Sequence, residues 1–150
     1  MEPIADRELL LERMRTLFPG DMTPGLRTEI LDVDREAGTA NLRIQVDGTM
    51  SNQFGAVMGG TVASMLDGCI GIAGAAYSGG VLAMPLAELN VSFVRPVPPG
   101  IVHGFGAVTR LGRKVGFIEG TLFDEDQRVL ARGTGTAIPT PFPDVDLRDS

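Results

Sequence analysis

The sequence is poor in the residue types that support several common kinds of site. Its 150 residues include one cysteine, one histidine, one tyrosine and no tryptophan. A single cysteine excludes an intramolecular disulfide and leaves a cysteine-based zinc cluster without ligands. Few aromatic rings and no run of basic residues argue against a stacking platform for nucleic acid. We therefore expect no disulfide framework, no metal site and no nucleic-acid partner.

Positive charge is also scarce. Thirteen Lys and Arg residues oppose 19 Asp and Glu residues, which gives a formal net charge of −6 and a pI near 4.7. Such a surface repels phosphate polymers. Residues 1–8 are polar and acidic, whereas a secretory signal begins with basic residues and continues with an apolar run. Together with the lone Cys69, this favours a reducing cytoplasm as the location.

A single domain is the expectation for a chain of this length and composition. The chain has the commonest size of one domain, and 43% hydrophobic against 21% charged residues is typical of globular proteins. No internal repeat or shift in composition divides it. We predict one domain over residues 1–150, with an amphipathic helix over 5–18 inside an N-terminal segment 1–20. Residues 139–150, which combine prolines with acidic residues, are predicted to form a loose tail.

The segment from Gly55 to Met84 contains one formally charged residue, Asp67. This segment is long enough to span a bilayer. Two features argue against that interpretation: an ionised carboxylate in mid-segment is costly in lipid, and the segment breaks up at residues 78–80. We predict instead a helix from about Gly59 to Tyr77. Because it is apolar on nearly all sides, it must be enclosed by the rest of the protein, with no membrane as partner.

Alternating apolar and polar residues on both sides of this helix predict antiparallel strands. The predicted strands are 26–33, 39–47, 86–94, 101–111, 115–123 and 128–138. Turn signals rich in Gly, Pro and Asp separate them. The expected fold is therefore α+β, with a six-stranded antiparallel sheet wrapped around one long central helix.

The stretch 52–67 resembles the active-site signature of hotdog-fold acyl-CoA thioesterases, and within them the subgroup named for phenylacetate degradation. In that signature an Asn precedes a His-Gly-Gly by six positions, and an acidic residue follows the His by nine. The matching residues here are Asn52, Gly59, Gly60 and Asp67. The resemblance implies a hotdog fold and hydrolysis of a thioester.

The resemblance extends beyond this stretch but is incomplete. Residues 88–96 are similar to the third strand of the family and the turn after it, and the order of elements agrees from about residue 26 to 138. Where the family usually has His, this chain has Met58, which neither donates nor accepts a strong hydrogen bond. Where relatives often carry Ser or Thr near the start of the third strand, the chain has Pro85, Leu86 and Ala87.

The chemistry that these positions support needs one carboxylate and no histidine. A thiol of pKa about 8.5 leaves readily as its anion, so a thioester hardly needs a general acid. By resemblance, Asp67 either attacks the carbonyl to form a mixed anhydride or activates a water. The backbone N–H of Gly59, at the start of the helix, is the candidate donor to the developing oxyanion. Asn52 is the candidate for orienting the water or the carboxylate.

Asp67 lies about 13 Å along the helix from residue 58, too far to reach a carbonyl bound at the helix start of the same chain. By resemblance, the acid of one subunit faces the helix start of another, in a homodimer or a homotetramer built as a dimer of dimers. The resemblance also implies coenzyme A as part of the substrate, with no further cofactor. Residues expected to contact the substrate are Met58, Gly60, Arg95, Arg110, Arg113 and Lys114, the four basic ones by meeting the phosphates.

Each of these assignments has a structural alternative. Asp67 is also explained by a hydrogen bond to a neighbouring strand or to Ser64, the glycine pair by close packing of the helix, and Asn52 by a turn or a helix cap. Met50, Met58, Met65 and Met84 line a pliable acyl pocket or fill the core. His103 lies in a strand pattern with no motif around it and is expected to be structural.

Two functions remain open. The leading hypothesis is hydrolysis of acyl-CoA with a medium-chain or aromatic acyl group. The alternative is a hotdog protein that binds an acyl thioester or another apolar ligand without hydrolysing it, which Met58 in place of the His makes plausible. A purely structural or regulatory role has no positive feature in the sequence.

Overall fold

A computed structural model describes residues 1–143 of the chain. It contains two α-helices, α1 (Arg7–Leu17) and α2 (Gly59–Tyr77), and a short 3₁₀ turn, Gly48–Met50. The strands are β1 (Leu26–Asp34), β2 (Thr39–Val46), β3 (Leu82–Ala83), β4 (Leu86–Phe93), β5 (Gly100–Leu111), β6 (Gly116–Phe123), β7 (Val129–Ala137) and β8 (Thr140–Pro141). The central helix has the predicted bounds.

Six strands form one antiparallel sheet in the order β1-β2-β5-β6-β7-β4. The predicted six-stranded antiparallel sheet around one helix is confirmed. Alternation along the strands turns one face inward: β2, for example, buries Ala40, Leu42, Ile44 and Val46. Because side chains in a strand alternate between faces, the polar residues between them face outward.

The helix α1 covers one side of this unit. The side-chain carboxylate of Asp6 accepts a hydrogen bond from the Leu9 N–H at 2.9 Å, which satisfies one of the free donors at the helix start. Leu10 and Met14 on its inner face are buried. Pro19 follows directly after the capping residue Phe18, so the helix cannot continue.

The sheet packs very closely against α2. Leu66, Cys69 and Ile70 on its inner face are fully buried. A Cβ added at Gly106 of β5 would lie 2.1 Å from the carbonyl oxygen of Cys69, and one at Gly104 would lie 2.6 Å from its Sγ. Glycine in the strand therefore lets helix and sheet backbones approach more closely than any larger residue allows.

The packing around α2 has three consequences. By length and composition α2 is apolar enough to cross a membrane, but most of it is buried inside the domain. Burial also raises the pKa of the Cys69 thiol to about 12, so that this cysteine stays protonated. Met65 and Met84 belong to the core, which favours core filling for these two of the four methionines.

The segment predicted to form a loose tail is partly ordered. Thr140 and Pro141 pair with Ala83 and Leu82 in the small β3–β8 sheet, and the Phe142 N–H donates to the Val81 carbonyl at 3.3 Å. A two-residue strand carries no periodicity, which is why the sequence did not reveal it. Residues 144–150, the rest of the predicted tail, lie outside the described part of the chain.

The strand β4 forms one edge of the sheet. It pairs with β7 on one side, and within residues 1–143 no strand pairs with its other side. Since the edge leaves backbone N–H and C=O groups unpaired, it is a template for pairing with another strand. At the centre of the sheet, His103 lies on β5 between Arg43 and Phe123 of the neighbouring strands.

Candidate active site

The first turn of α2 offers two free backbone donors. Met58 caps the helix without a side-chain hydrogen bond, and its carbonyl accepts from the N–H groups of Thr61 and Val62, each at 3.0 Å. Within the described residues, the N–H groups of Gly59 and Gly60 have no hydrogen-bond acceptor. Both glycines are exposed. Free N–H groups at a helix start carry partial positive charge and are suited to hold an anion.

The loop that leads into this turn is built around Asn52. Its Oδ1 accepts from the N–H of Phe54 at 2.9 Å and of Ala56 at 3.2 Å. The Asn52 N–H donates to the Ala56 carbonyl at 2.7 Å, and Gly55 adopts a φ of +77° that favours glycine. The side-chain oxygen of Asn52 therefore shapes the turn, and only its amide nitrogen remains available for a ligand.

A groove of about 570 Å³, here called the helix-start groove, opens beside this turn. A Cβ added at Gly59 would lie 3.3 Å from Cζ of Phe93, so the aromatic ring stands directly against the glycine backbone. The groove is lined by Asn52, Phe54, Ala56, Val57, Gly59, Val62, Phe93, Val94, Arg95, Pro96 and Val97. Phe54 is 85% exposed and Phe93 59% exposed, although both are large apolar side chains.

Asp67 lies two turns further along α2, on its open face. Within residues 1–143 no donor makes a hydrogen bond or ion pair with its carboxylate, and the nearby Ser64 hydroxyl donates to the Gly60 carbonyl at 3.1 Å instead. The residue is exposed in the described chain, but its surroundings partly desolvate the carboxylate, which raises the pKa of Asp67 above its ordinary value. The structural explanation of this residue, a hydrogen bond to a strand or to Ser64, is therefore wrong for the described chain.

A second groove of about 930 Å³, here called the Asp67 groove, contains this carboxylate. One wall is the start of β4, including Pro85, Leu86 and Ala87, the residues that stand where relatives often carry a hydroxyl. The floor is the open face of α2, and the other wall comes from the segment between α1 and β1. No hydroxyl of β4 reaches Asp67, because that stretch has none before Ser92.

The two grooves are distinct in one chain. Gly59 and Phe93 line the first, whereas Gly60, Asp67 and the beginning of β4 line the second. Since α2 runs past β4 in the opposite direction, its start lies near the end of that strand and Asp67 lies near the beginning. The structure does not bring Asp67 and the Gly59 N–H together within one chain.

The four basic residues fall into two groups. Arg95 follows β4, lines the helix-start groove and donates to the Val129 carbonyl at 2.6 Å. Arg110, Arg113 and Lys114 surround a separate pocket of about 480 Å³ at the β5–β6 turn, together with Phe117. Gly116, just after this turn, pairs with Ala137 of β7, which pairs with Leu86 at the beginning of β4. The turn therefore lies at the opposite end of the sheet from Arg95, which follows the end of β4. Within the described residues none of the four forms an ion pair.

Sequence reasoning missed the aromatic wall of the helix-start groove. A signal for it was present, because alternation in β4 places Leu89, Val91 and Phe93 on the side of the sheet that faces the helix. The exposure of Phe54 had no such signal. Metal ligands, by contrast, are not clustered anywhere in residues 1–143: no group of three or more His, Cys, Asp or Glu side chains is suited to hold an ion.

A family model described as the thioesterase superfamily matches residues 54–131. The chain belongs to the thioesterase superfamily, and its six-stranded sheet with a central helix is the hotdog fold of that family. The match runs from Phe54 through α2 and β4 to the start of β7, so it includes Asp67 and the glycine pair but not Asn52.

Individual relatives agree with this assignment. A phenylacetic acid degradation-related protein from Ralstonia eutropha JMP134, described as a candidate thioesterase, is 28% identical, with a TM-score of 0.72 over 84% of this chain and 98% of that one. A Streptococcus mutans UA159 protein solved with acetyl-CoA is 15% identical over 77% of this chain and 90% of its own, with a TM-score of 0.69, and shows the fold alone. A Thermoplasma volcanium protein described as a candidate esterase is 26% identical over 84 residues. That match spans 55% of this chain and 62% of the length of the curated relative.

Proposed function

We propose that this protein hydrolyses acyl-CoA thioesters with a medium-chain or aromatic acyl group and that Asp67 is its catalytic carboxylate. The observation that carries the proposal is the state of Asp67: its carboxylate lies exposed in a groove, has no hydrogen-bond or ion-pair partner within residues 1–143, and is partly desolvated, which raises its pKa. Such perturbed, unpaired groups are typical of functional sites. Membership of the thioesterase superfamily supports the reaction class.

The reaction follows from the groups at hand. The free N–H groups of Gly59 and Gly60 hold the negative charge that develops on the thioester oxygen. Asp67 either attacks the carbonyl carbon, forming a mixed anhydride that water then hydrolyses, or removes a proton from the attacking water. In both routes the C–S bond breaks and the thiolate of coenzyme A leaves without a general acid, because its pKa is about 8.5.

A dimer joins the two halves of this site. If two copies pair antiparallel through the free edge of β4, the Phe93 end of one strand lies beside the Leu86 end of the other. Gly59 lies near the Phe93 end of the strand, and Asp67 lies near the Leu86 end. The helix start of one subunit then faces the carboxylate of its partner. The proposed assembly is therefore a homodimer or a tetramer made of two such dimers.

Coenzyme A is the proposed carrier of the acyl group. A structural neighbour was solved with acetyl-CoA, and basic residues border both ends of the sheet: Arg95 at one end, Arg110, Arg113 and Lys114 at the other. In the antiparallel dimer, opposite ends of two copies meet, which gives the phosphates of one ligand access to both groups. A cytoplasmic location belongs to the same proposal, since the one cysteine forms no disulfide.

One observation favours a second function, binding of a thioester without hydrolysis. Met58, 42% exposed, stands at the helix start where the family signature has His. A thioether neither orients a water nor donates a strong hydrogen bond. Ligand binding would then survive while turnover is lost.

Release of free thiol from short, medium, long-chain and aromatic acyl-CoAs tests the proposal. The comparison is wild type against Asp67→Asn, with Asp126→Asn as the matched control, because Asp126 is an exposed carboxylate that lines neither groove. We expect turnover in wild type and in the control, and its loss in Asp67→Asn.

Equal turnover by wild type and Asp67→Asn would remove Asp67 from the mechanism. No turnover by any of the three proteins, combined with stabilisation against heat by acyl-CoA, would establish the binding function. In that case Met58→His is the variant to test next, since it restores the residue of the family signature.

A further inference from the structure

A further pocket, of about 540 Å³, lies at the β1 edge of the sheet, opposite the edge formed by β4. It is here called the three-arginine pocket, after Arg15, Arg27 and Arg43, which line it together with Glu29 and Gln45. The reaction derived above uses none of these side chains. A dimer formed through β4 leaves this edge of the sheet free, so the pocket has no role in the proposed function.

The pairing of β1 with β2 brings four of these side chains to one face of the sheet. Arg27 lies opposite Gln45, and Glu29 lies opposite Arg43. All four alternate with more buried residues, so they are on the face that points away from α2. Diagonal neighbours in an antiparallel pair are about 7–8 Å apart. The guanidinium groups of Arg27 and Arg43 can therefore contact one small ligand together.

Arg15 reaches the same pocket from the last turn of α1. Its Nε and Nη2 donate to the carbonyl oxygen of Ile30 at 3.2 and 2.9 Å, which holds the guanidinium beside β1. A guanidinium has more N–H donors than these two bonds use. Arg15 is therefore a positioned cation that retains donors for a ligand.

The positive charge of the pocket is not neutralised within residues 1–143. Arg27 forms no ion pair there, and Nη1 of Arg43 lies 3.9 Å from Oε2 of Glu29, too far for a hydrogen bond. Three guanidinium groups thus face one carboxylate, in a chain whose formal net charge is −6. Elsewhere on the surface the ratio is reversed: Arg7 and Arg128 each lie near two carboxylates.

We infer that the three-arginine pocket binds a phosphate monoester, with its phosphate group between Arg15, Arg27 and Arg43. The fork of a guanidinium matches the geometry of phosphate oxygens. A phosphate monoester carries nearly two negative charges at neutral pH, which suits the excess of cations over carboxylates better than one carboxylate does. The volume lies within the roughly 300–1,000 Å³ typical of sites for small organic ligands. The inference does not depend on the proposed function.

A set of solvated surface arginines is the alternative explanation, and it accounts for only part of the arrangement. A cation at Arg15 offsets the dipole at the C-terminus of α1. Arg27 and Arg43 have no such partner, because strands carry little net dipole, and their like charges repel each other. Phe18 and Thr28 line both this pocket and the Asp67 groove, so a ligand bound here lies directly behind one wall of the candidate active site.

Side-chain NMR of the ¹⁵N-labelled full chain tests the inference, with glycerol 3-phosphate as the probe and glycerate as its carboxylate counterpart. The Nε–H signals of Arg15, Arg27 and Arg43 report binding directly. The variants are Arg27→Gln, Arg43→Gln and Glu29→Gln. Two exposed residues outside the pocket provide controls with the same change of charge, Arg128→Gln and Glu125→Gln.

We expect glycerol 3-phosphate to shift the three arginine signals to saturation and to bind more tightly than glycerate. Arg27→Gln or Arg43→Gln should weaken binding about fivefold, the upper range for an exposed charge pair. Glu29→Gln should instead tighten binding about twofold, because it removes the one carboxylate that competes for Arg43. The two control variants should leave the affinity unchanged.

Coenzyme A contains the same chemical group in its 3′-phosphate, so the source of the ligand needs a second comparison. If coenzyme A shifts the three signals and dephospho-coenzyme A does not, the pocket binds the phosphate of the coenzyme. If neither shifts them while glycerol 3-phosphate does, the ligand is a separate phosphorylated metabolite.

Three results would overturn the inference. The first is the absence of a saturable shift in the three arginine signals. The second is an equal effect of the pocket variants and their charge-matched controls, which would reduce binding to general attraction by surface charge. The third is glycerate binding as tightly as glycerol 3-phosphate, which would make the ligand a carboxylate. None of these outcomes depends on whether the protein releases thiol from acyl-CoA.

Discussion

Glycine borders both faces of α2, but with opposite effects: on the inner face it is found in the sheet strands, and on the outer face in the helix itself. On the inner face, a Cβ added at Gly106 would lie 2.1 Å from the Cys69 carbonyl oxygen, which excludes any side chain, and one at Gly135 would lie 3.2 Å from Ile70. On the outer face, Gly68 and Gly71 meet nothing within 4 Å. Glycine on the inner side therefore closes space, and glycine on the outer side leaves it open. The difference separates the residues that build the fold from those that shape the site.

The largest effect is expected for Asp67→Asn, on the outer face of α2. If the carboxylate is a nucleophile or general base, the variant should lose about 10²-fold or more of kcat, the range found for positioned acid–base groups. Its thermal stability should not fall, because the native chain desolvates this carboxylate without pairing it. Thiol release and thermal melting measured on the same samples check both parts. A variant that unfolds at lower temperature would show that Asp67 also supports the fold.

The dependence of activity on pH sharpens the same point. Asp67 must be ionised to act, and burial raises its pKa above the ordinary 3.8. The value of kcat/KM should therefore fall as the pH is lowered through that raised pKa, about tenfold per pH unit below it. A pH profile on an activated acyl thioester checks this. An acid limb at or below the ordinary aspartate value would contradict the desolvated site.

The contribution of Asp67 to folding stability depends on pH in the opposite direction to its contribution to activity. Because the folded state binds the proton more tightly than the unfolded state, the contribution of Asp67 to stability falls as the pH rises from its unfolded to its folded pKa. The variant Asp67→Asn should lack this component, which thermal melting across that pH range measures against wild type.

On the inner face, Gly106→Ala should destabilise the protein by about 1–3 kcal/mol, the usual cost of overpacking a core. The new Cβ would lie 2.1 Å from the Cys69 carbonyl oxygen, and backbone cannot move aside cheaply. Chemical denaturation measures the change. The folded fraction should keep its activity, because the substitution lies outside both grooves.

The smallest effect is expected for Gly68→Ala on the outer face. Nothing obstructs its Cβ, and alanine favours a helix interior by up to about 1 kcal/mol over glycine, so the free energy of unfolding should rise slightly. The same denaturation experiment, run beside Gly106→Ala, gives opposite signs for the same substitution on two sides of one helix. Destabilisation by Gly68→Ala would show that the outer face is packed against another chain.

Periodicity is the reason that most of the fold was predictable. The bounds of α2 agree with the prediction, and β4 ends at Phe93 where the prediction ended at residue 94. The β3–β8 pair was missed because two residues have no period to detect. Its partner Thr140 fell in a segment whose prolines and acidic residues resemble a loop.

The site was predictable only as far as its motif extends. Spacing picked out Asn52 and Asp67, but it said nothing about their hydrogen bonds. That Oδ1 of Asn52 is occupied by backbone donors, and that Asp67 is without any within residues 1–143, depends on how the loop and helix are placed. The separation of Asp67 and Gly59 into two grooves likewise depends on the direction in which α2 crosses β4, which residue order alone does not determine.

The buried thiol of Cys69 gives the protein a built-in reporter. A cysteine with a pKa near 12 at the centre of the core presents almost no thiolate to reagents such as disulfide dyes. In an assay that detects released coenzyme A, the folded enzyme should therefore contribute no background colour of its own. The slow rate at which Cys69 is labelled would instead measure how often the core opens transiently. From that rate the free energy of opening follows without a spectroscopic probe.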